Sequence, residues 1–220
     1  MSFKVAIDGP AGAGKSTVAR MAAEKMHLIY VDTGAMYRAM ALYMLQNGID
    51  PGDEKAVEDA CENVDITIQY EDGVQVVYLN GKNVNTLIRT KEAGGAASKV
   101  AVIPAVRKKL VWLQRRLAEE KDCIMDGRDI GTCVLPDADV KIYLTASSLV
   151  RARRRYEELL QKGEDCDLSE IQKNIEERDD RDMHREISPL KKAKDACLLD
   201  TSELSLEQAL EEVIRLCQKR

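Results

Sequence analysis

Phe3-Lys4-Val5-Ala6-Ile7-Asp8 is an almost unbroken apolar run that halts at Gly9-Pro10, and it predicts a short buried strand. Ser16 to Lys25 contains no Gly or Pro and is rich in Ala with Met, Arg and Glu, the composition of a helix. His27 to Val31 predicts a second short strand. Between Ala35 and Gln46 apolar residues recur at helical spacing (Met36, Met40, Leu42, Tyr43, Met44), and Asn47-Gly48 ends that helix.

The pattern changes over residues 50 to 95. Val64 to Tyr70 alternates apolar and polar, Glu71-Asp72-Gly73 signals a turn, and Val74 to Leu79 is again strand-like before a second turn at Asn80-Gly81. These are the marks of a small antiparallel sheet set into a chain that otherwise alternates strand and helix. Downstream, Pro104 to Lys121 carries an apolar stripe at Val106, Leu110, Leu113 and Leu117 and predicts a helix. Cys123-Ile124-Met125 predicts a buried strand ending at Asp126, and Asp139 to Leu144 another. Ser147 to Lys162 and Asp167 to Arg185 predict helices, Cys197 to Asp200 a last strand, and Ser205 to Gln218 a last helix. Ser205 and Gln208 have capping-box spacing at its start, with Ser202 as the competing cap. Buried strands alternating with helices imply a parallel sheet flanked by helices, an α/β fold.

Composition narrows the function classes. The length of 220 residues suits one substantial domain, or one domain carrying an inserted lobe. Aromatic residues make up only 4%, too few to interleave as stacking platforms for single-stranded nucleic acid. A net charge of −5 argues against a general nucleic-acid or membrane-surface binder, so any bound anion must be held by locally clustered Lys and Arg. Neither a signal-peptide segment nor a membrane-length apolar run is present. The six cysteines form no CxxC pair and are expected as reduced cytosolic thiols, which places the protein in the cytoplasm. His27 and His184 are the only histidines, so a histidine-built zinc site is not expected.

Gly9-Pro10-Ala11-Gly12-Ala13-Gly14-Lys15-Ser16 fits G-x-x-x-x-G-K-[ST] at every fixed position, between a predicted strand and a predicted helix. The chemistry explains the spacing. Glycines let the backbone curl so that successive N–H groups face phosphate oxygens. The next helix adds its positive N-terminal end. Lys15 is placed for the β- and γ-phosphates, Ser16 for Mg²⁺, and Thr17 for the α-phosphate. The motif establishes a nucleotide site and leaves the reaction open. No Asn-Lys-x-Asp element for guanine occurs.

A kinase of small molecules needs a second anion site, and two arginine clusters offer one. Arg151, Arg154 and Arg155 recur at i, i+3, i+4, a spacing as compatible with a salt-bridged surface as with an anion face. Arg178, Arg181 and Arg185 recur at i, i+3, i+7 on one helical face, and Asp182, four residues after Arg178, is placed to fix its direction. Arginine suits this role because its planar fork grips phosphate at two points. Asp126-Gly127-Arg128-Asp129 leaves a predicted buried strand, where functional groups of open α/β sheets gather. Asp126 has the position of a strand-end acid that supports Mg²⁺ through water or Ser16. Arg128 and Asp129 follow it toward the substrates.

These residues together resemble the bacterial-type cytidylate kinases, nucleoside monophosphate kinases with the P-loop NTPase fold. The resemblance runs along essentially the whole chain. Its marks are Ile7 to Thr17, Asp32 to Arg38, Ala97 to Ala101, Val106-Arg107, Gln114-Arg115, Asp126 to Gly131, and Glu177 to Arg185 with Pro189-Leu190. It implies a CORE at about residues 1–32, 104–150 and 195–220, a monophosphate-binding region at about 33–103 with an inserted sheet, and a helical LID at about 151–190. It implies phosphoryl transfer from Mg·ATP to CMP or dCMP, and the lack of a long exposed apolar stripe makes a monomer the expectation. Thr33, Tyr37 and Arg38 would meet the acceptor, Arg38 at its phosphate. Ser98, Arg107 and Asp129 would contact the cytosine or ribose, and Arg128 the phosphate. Gly127 would line the site, and Asp182 and Arg185 would lie by sugar and phosphate. Arg178 and Arg181 would close on the migrating group. Thr33 stands where members often have Ser, and the hydroxyl is kept.

The residues read without the resemblance do not separate cytosine from uracil. Kinases of UMP, AMP or shikimate, and an ATP-binding regulator without turnover, are the alternatives they leave open.

Overall fold

A computed structural model describes residues 2–71 and 73–219. In chain order the elements are β1 (Lys4–Asp8), α1 (Lys15–Met26), β2 (Ile29–Asp32), α2 (Thr33–Gln46), α3 (Glu54–Cys61), β3 (Ile66–Glu71), β4 (Val74–Leu79), β5 (Lys82–Asn83), a 3₁₀ turn (Leu87–Arg89) and α4 (Lys91–Val100). They continue with α5 (Pro104–Glu120), β6 (Cys123–Gly127), a π-helical turn (Ile130–Val134), β7 (Val140–Thr145), α6 (Ser148–Gln161), α7 (Leu168–His184), β8 (Cys197–Asp200) and α8 (Leu206–Gln218). The chain divides into two compact units, Phe3–Leu28 with Cys123–Arg220, and Met1–Ser2 with Ile29–Asp122.

The first of these units holds a parallel sheet of strands in the order β6-β1-β7-β8. The inner strands β1 and β6 are buried almost throughout, as their apolar sequence pattern implies, whereas the edge strand β8 is largely exposed. Val5, Ile7, Ile124, Met125, Ile142 and Leu144 are at most 1% exposed. The register decides where chemistry can sit. Asp8 lies opposite both Gly127 and Tyr143, so β1 and β6 end at one level, β7 runs two residues further to Thr145, and the loops that follow leave the same edge of the sheet. α1 packs on β6 and α8, and α6 packs on α7. Ser205 caps α8 in a reciprocal capping box with Gln208, which decides between the two candidate serines.

Two turns in this unit demand glycine. Gly9 has φ +150°, and a Cβ there would stand 1.9 Å from the Leu144 carbonyl oxygen. Gly14 has φ 88° and, as N-cap of α1, brings no side chain to the first turn. The initial N–H groups of α1 therefore remain available to an anion. The π-helical turn after β6 has no counterpart in the sequence pattern.

In the other unit, α2 begins at Thr33, two residues earlier than its apolar spacing predicts, because the Asp32 carboxylate caps it through Ala35 N–H. β3, β4 and β5 form the antiparallel insert, with Ile66 opposite Leu79 and Glu71 opposite Val74. Asp72, in the first predicted turn, lies outside the described residues. The second turn is Asn80-Gly81, both residues at positive φ, the conformation a two-residue hairpin takes. The helices α3 and α4 go beyond what the pattern predicts. α4 reads poorly as a helix because Gly94 and Gly95 fall inside it. Thr90 caps it, and its buried Ala93, Ala96, Ala97 and Val100 supply a small-residue face to an element packed on α2. His27, expected in a strand, instead ends α1 in the left-handed conformation.

No described helix is long and apolar enough to cross a membrane. All six cysteines are free thiols.

Candidate active site

Within the unit built on β1, the glycine-rich loop joins β1 to α1. Lys15, the first residue of α1, is buried, and its Nζ donates to the Pro10 carbonyl at 2.7 Å. Burial drives its pKa down to about 7, and the Arg128 guanidinium pushes the same way, followed at lower weight by Arg178. Asp126 and Asp8 partly counter the fall. Lys15, Arg128, Arg178, Asp126 and Asp8 thus share one electrostatic neighbourhood, and an incoming polyanion would complete it.

Ser16 projects from the exposed start of α1, and its hydroxyl donates to Asp126 Oδ2 at 2.8 Å. Asp126 is the penultimate residue of β6 and is buried. A hydroxyl beside a carboxylate is an oxygen donor set that suits a small hard cation. Among the described residues no group of three or more His, Cys, Asp or Glu could hold a metal. A Mg²⁺ here therefore fits only if phosphate and water supply most of its ligands, which is how that ion is commonly bound.

Beyond β6 the chain turns through Gly127-Arg128-Asp129. Arg128 Nε donates to Asp182 Oδ2 on α7 at 2.8 Å, and Arg185 Nη2 meets Asp129 Oδ1 at 3.4 Å. The helical spacing aimed Asp182 at Arg178, and the structure instead pairs it with Arg128. Arg185 is the C-cap of α7, with extended backbone, and its Nε donates to the Ser188 carbonyl. It is therefore held by the turn that follows the helix. Arg181 lies on the exposed side of α7, where its Nε donates to the Glu177 carbonyl of the same helix.

Asp8 is a site residue that motif reading passed over. Its two carboxylate oxygens accept the N–H groups of Ile130 and Gly131 at 2.7 and 2.8 Å, which pins the bend carrying Arg128 and Asp129. Burial raises its pKa to about 6, against those two stabilising N–H contacts. The signal was present: an acid ends a buried strand immediately before the phosphate loop.

The arginine triplet on α6 turns inward or onto neighbours. Arg151 is buried and bonds backbone carbonyls and Asp179. Arg154 donates to Thr201, and Arg155 pairs with Glu158. The i, i+3, i+4 spacing does not produce one anion-binding face.

In the other unit a second group of predicted residues converges on α2. Arg107, on α5 and buried, donates to the Tyr37 hydroxyl at 3.3 Å. Arg38 Nη2 donates to Asp32 Oδ2 at 2.9 Å, and Arg89 Nη1 stands 3.5 Å from the same oxygen. Thr33 is buried at the first residue of α2, and Ser98 is half-buried on α4. Sequence reasoning missed Asp32 and Gln75. Gln75 on β4 brackets Asp32, accepting its N–H and donating to its C=O, so the inserted sheet fixes the start of α2. Nothing in its strand-like surroundings marks Gln75.

The family model for cytidylate kinase matches residues 5–219. The chain belongs to the cytidylate kinase family. A cytidylate kinase of Lactobacillus gasseri is 51% identical over 99% of this chain and 95% of its own length. One from Caldicellulosiruptor bescii is 48% identical over 99% of this chain and 96% of its length. A solved shikimate kinase from Bacteroides thetaiotaomicron, 13% identical, superposes with a TM-score of 0.50 over 97% of both chains. At that identity the likeness concerns the fold alone. Family membership accounts for an intact phosphate loop, a strand-end acid and flanking arginines occurring together.

Proposed function

We propose that this chain is a nucleoside monophosphate kinase that transfers the γ-phosphoryl group of ATP to CMP or dCMP, giving ADP and CDP or dCDP in pyrimidine nucleotide metabolism. The observation that carries the reading is a family match along nearly the whole chain, on a loop whose glycines, Lys15 and Ser16 are all in place.

The two substrates bring roughly six negative charges into one site, and the acceptor phosphate is already an anion. No strong general base is needed. Catalysis then consists of alignment and positive charge around the migrating group. Backbone N–H groups of Gly9 to Gly14 and the start of α1 hold the donor phosphates, with Lys15 at the β- and γ-phosphates and Thr17 near the α-phosphate. Ser16 and Asp126 are the residues that would hold Mg²⁺, which when bound shields the phosphate charge and orients the donor chain.

On the acceptor side, Arg38 and Arg128 take the monophosphate, and Thr33 and Tyr37 line its approach. Ser98, Arg107 and Asp129 read the cytosine and ribose, Gly127 lines the pocket, and Asp182 and Arg185 lie by sugar and phosphate. A site built on such hydrogen bonds rejects a wrong base edge because the mismatch strands buried polar groups. Arg178 and Arg181 neutralise charge in the transition state. Residues 1–32, 104–150 and 195–220 act as CORE, 33–103 as the acceptor region and 151–190 as a LID whose closure keeps water from taking the phosphoryl group. The protein acts as a cytoplasmic monomer on free nucleotides and takes no nucleic acid or membrane as partner. Its free thiols suit a reducing compartment.

The test is ADP release from Mg·ATP with CMP, dCMP, UMP, AMP, GMP, dTMP and shikimate offered singly. Strong release with CMP and dCMP alone is expected. Another preferred acceptor keeps the kinase and removes the roles of Ser98 and Arg107. Nucleotide binding with no acceptor-dependent release makes the chain a non-catalytic regulator.

A further inference from the structure

Arg151 occupies an unusual position for a residue with no assigned part in the chemistry. It is 5% exposed, and all three of its nitrogens are engaged. Nε donates to the Ala146 carbonyl just past β7 at 2.8 Å. Nη1 donates to the carbonyl of Ala11, inside the phosphate loop, at 2.9 Å. Nη2 pairs with Asp179 Oδ2 on α7 at 2.6 Å, and Asp179 is itself 8% exposed. One guanidinium therefore joins the end of a sheet strand, the loop that receives phosphates and the helix that carries Arg178 and Arg181.

Two physical points make this more than a buried ion pair. Removing such a pair in favour of apolar side chains is commonly neutral or stabilising, so stability alone does not account for it. In addition, a trans peptide directs its C=O and the following N–H to opposite sides. Holding the Ala11 carbonyl against Arg151 turns the Gly12 N–H the other way, and Gly12 takes a φ of +74°. The two residues are neighbours as well, since a Cβ on Gly12 would be in ordinary contact with Arg151 Cβ at 3.5 Å. The orientation of that peptide and the position of α7 are therefore set through one side chain.

We propose that Arg151 is a positioning residue that couples occupancy of the phosphate loop to the ordering of α7. The proposal rests on the reading of Gly9 to Ser16 as the ATP site. A nucleotide that engages the loop amides fixes the Ala11–Gly12 peptide, strengthens the hold of Arg151, and through Asp179 steadies the helix bearing the lid arginines before the acceptor arrives. Further bonds between α6 and α7, from Ser148 to Glu176 and from Gln172 to Ser148, pack the two helices but do not reach the loop.

The experiment is amide hydrogen exchange of residues 168–184 with and without saturating ADP, no acceptor present. The parent protein should bind ADP and gain several-fold protection in α7. Arg151→Met/Asp179→Leu removes both charges, so neither is left buried alone. It should still bind ADP while the ADP-dependent gain in α7 falls below half. Arg151→Lys, which keeps the charge opposite Asp179 but cannot span all three partners, should also lose most of the gain. A purely structural role would raise α7 exchange equally with and without ADP and leave the gain intact, which would overturn the proposal. So would an undiminished gain in either variant, or a parent that binds ADP without protecting α7. A parent that binds no ADP would instead remove the nucleotide reading on which the proposal stands.

Discussion

Arg128 and Asp182 meet through a 2.8 Å contact that ties the loop after β6 to helix α7. Both side chains are largely shielded, at 21% and 13% exposure, so the pair holds its geometry better than a solvent-exposed one. Asp182 at Nε and, more distantly, the Gly127 carbonyl at Nη1 set where the Arg128 fork points. Asp182→Asn keeps the size and loses the charge. We expect kcat/KM for CMP to fall by about 10- to 100-fold, the scale of a small misplacement of a catalytic group. KM for ATP should move little. An unchanged kcat/KM for CMP would mean that Arg128 is aimed by its own loop.

Lys15 gives a pH prediction. Its pKa falls from 10.5 to about 7 in the folded protein, first through burial and then through Arg128. Between those values the unfolded chain holds more protons than the native state, so the contribution of Lys15 to stability rises with pH from about 7 to 10.5. Bound nucleotide supplies negative charge and restores the proton. ADP binding at a pH above the folded value should therefore take up protons, read by calorimetry in buffers of different ionisation enthalpy. Lys15→Met should abolish both this uptake and turnover while keeping the fold. Uptake that persists in the variant would assign the proton to another group.

Much of this site could be read from spacing, because its residues lie in short contiguous runs. The loop Gly9 to Ser16, the strand-end Asp126 and the α7 arginines each carry a local signal. What escaped depends on partners far along the chain. Asp8 bonds Ile130 and Gly131, 122 and 123 positions away, and Gln75 brackets Asp32 at a separation of 43. Helical periodicity also misplaced Asp182, since it fixes which face a side chain shares but not which distant loop meets that face. In the same way α4 was hidden by Gly94 and Gly95, whose low helix propensity is outweighed by packing on α2.

Arg181 separates catalysis from binding. It lies exposed on α7, with its Nε bonded to a carbonyl of its own helix, and the proposed lid closure would bring its guanidinium to the migrating phosphoryl group. Arg181→Ala should lower kcat by about 10²- to 10³-fold, the scale for losing one donor aimed at transition-state charge. KM for CMP should change by less than that. A rise in KM with kcat intact would make Arg181 a ground-state binding residue.

Gly9 tests whether the loop is rigid by construction. At φ +150°, and with the Leu144 carbonyl oxygen 1.9 Å from where a Cβ would stand, alanine meets both backbone strain and a backbone clash. The clash is with β7, an interior strand of the sheet, so neither partner yields as a flexible side chain would. Gly9→Ala should cost more than the ~1–3 kcal/mol of an ordinary strained backbone position. It should appear as a lower urea midpoint at an unchanged m-value. Gly12→Ala serves as the control, because its Cβ would make ordinary contact with Arg151 Cβ at 3.5 Å and face only the strain of φ +74°. If the two variants unfold at the same midpoint, strain alone sets the cost and the contact with β7 relaxes. If Gly9→Ala is much the less stable, the loop takes its shape from the strand against which it is pressed.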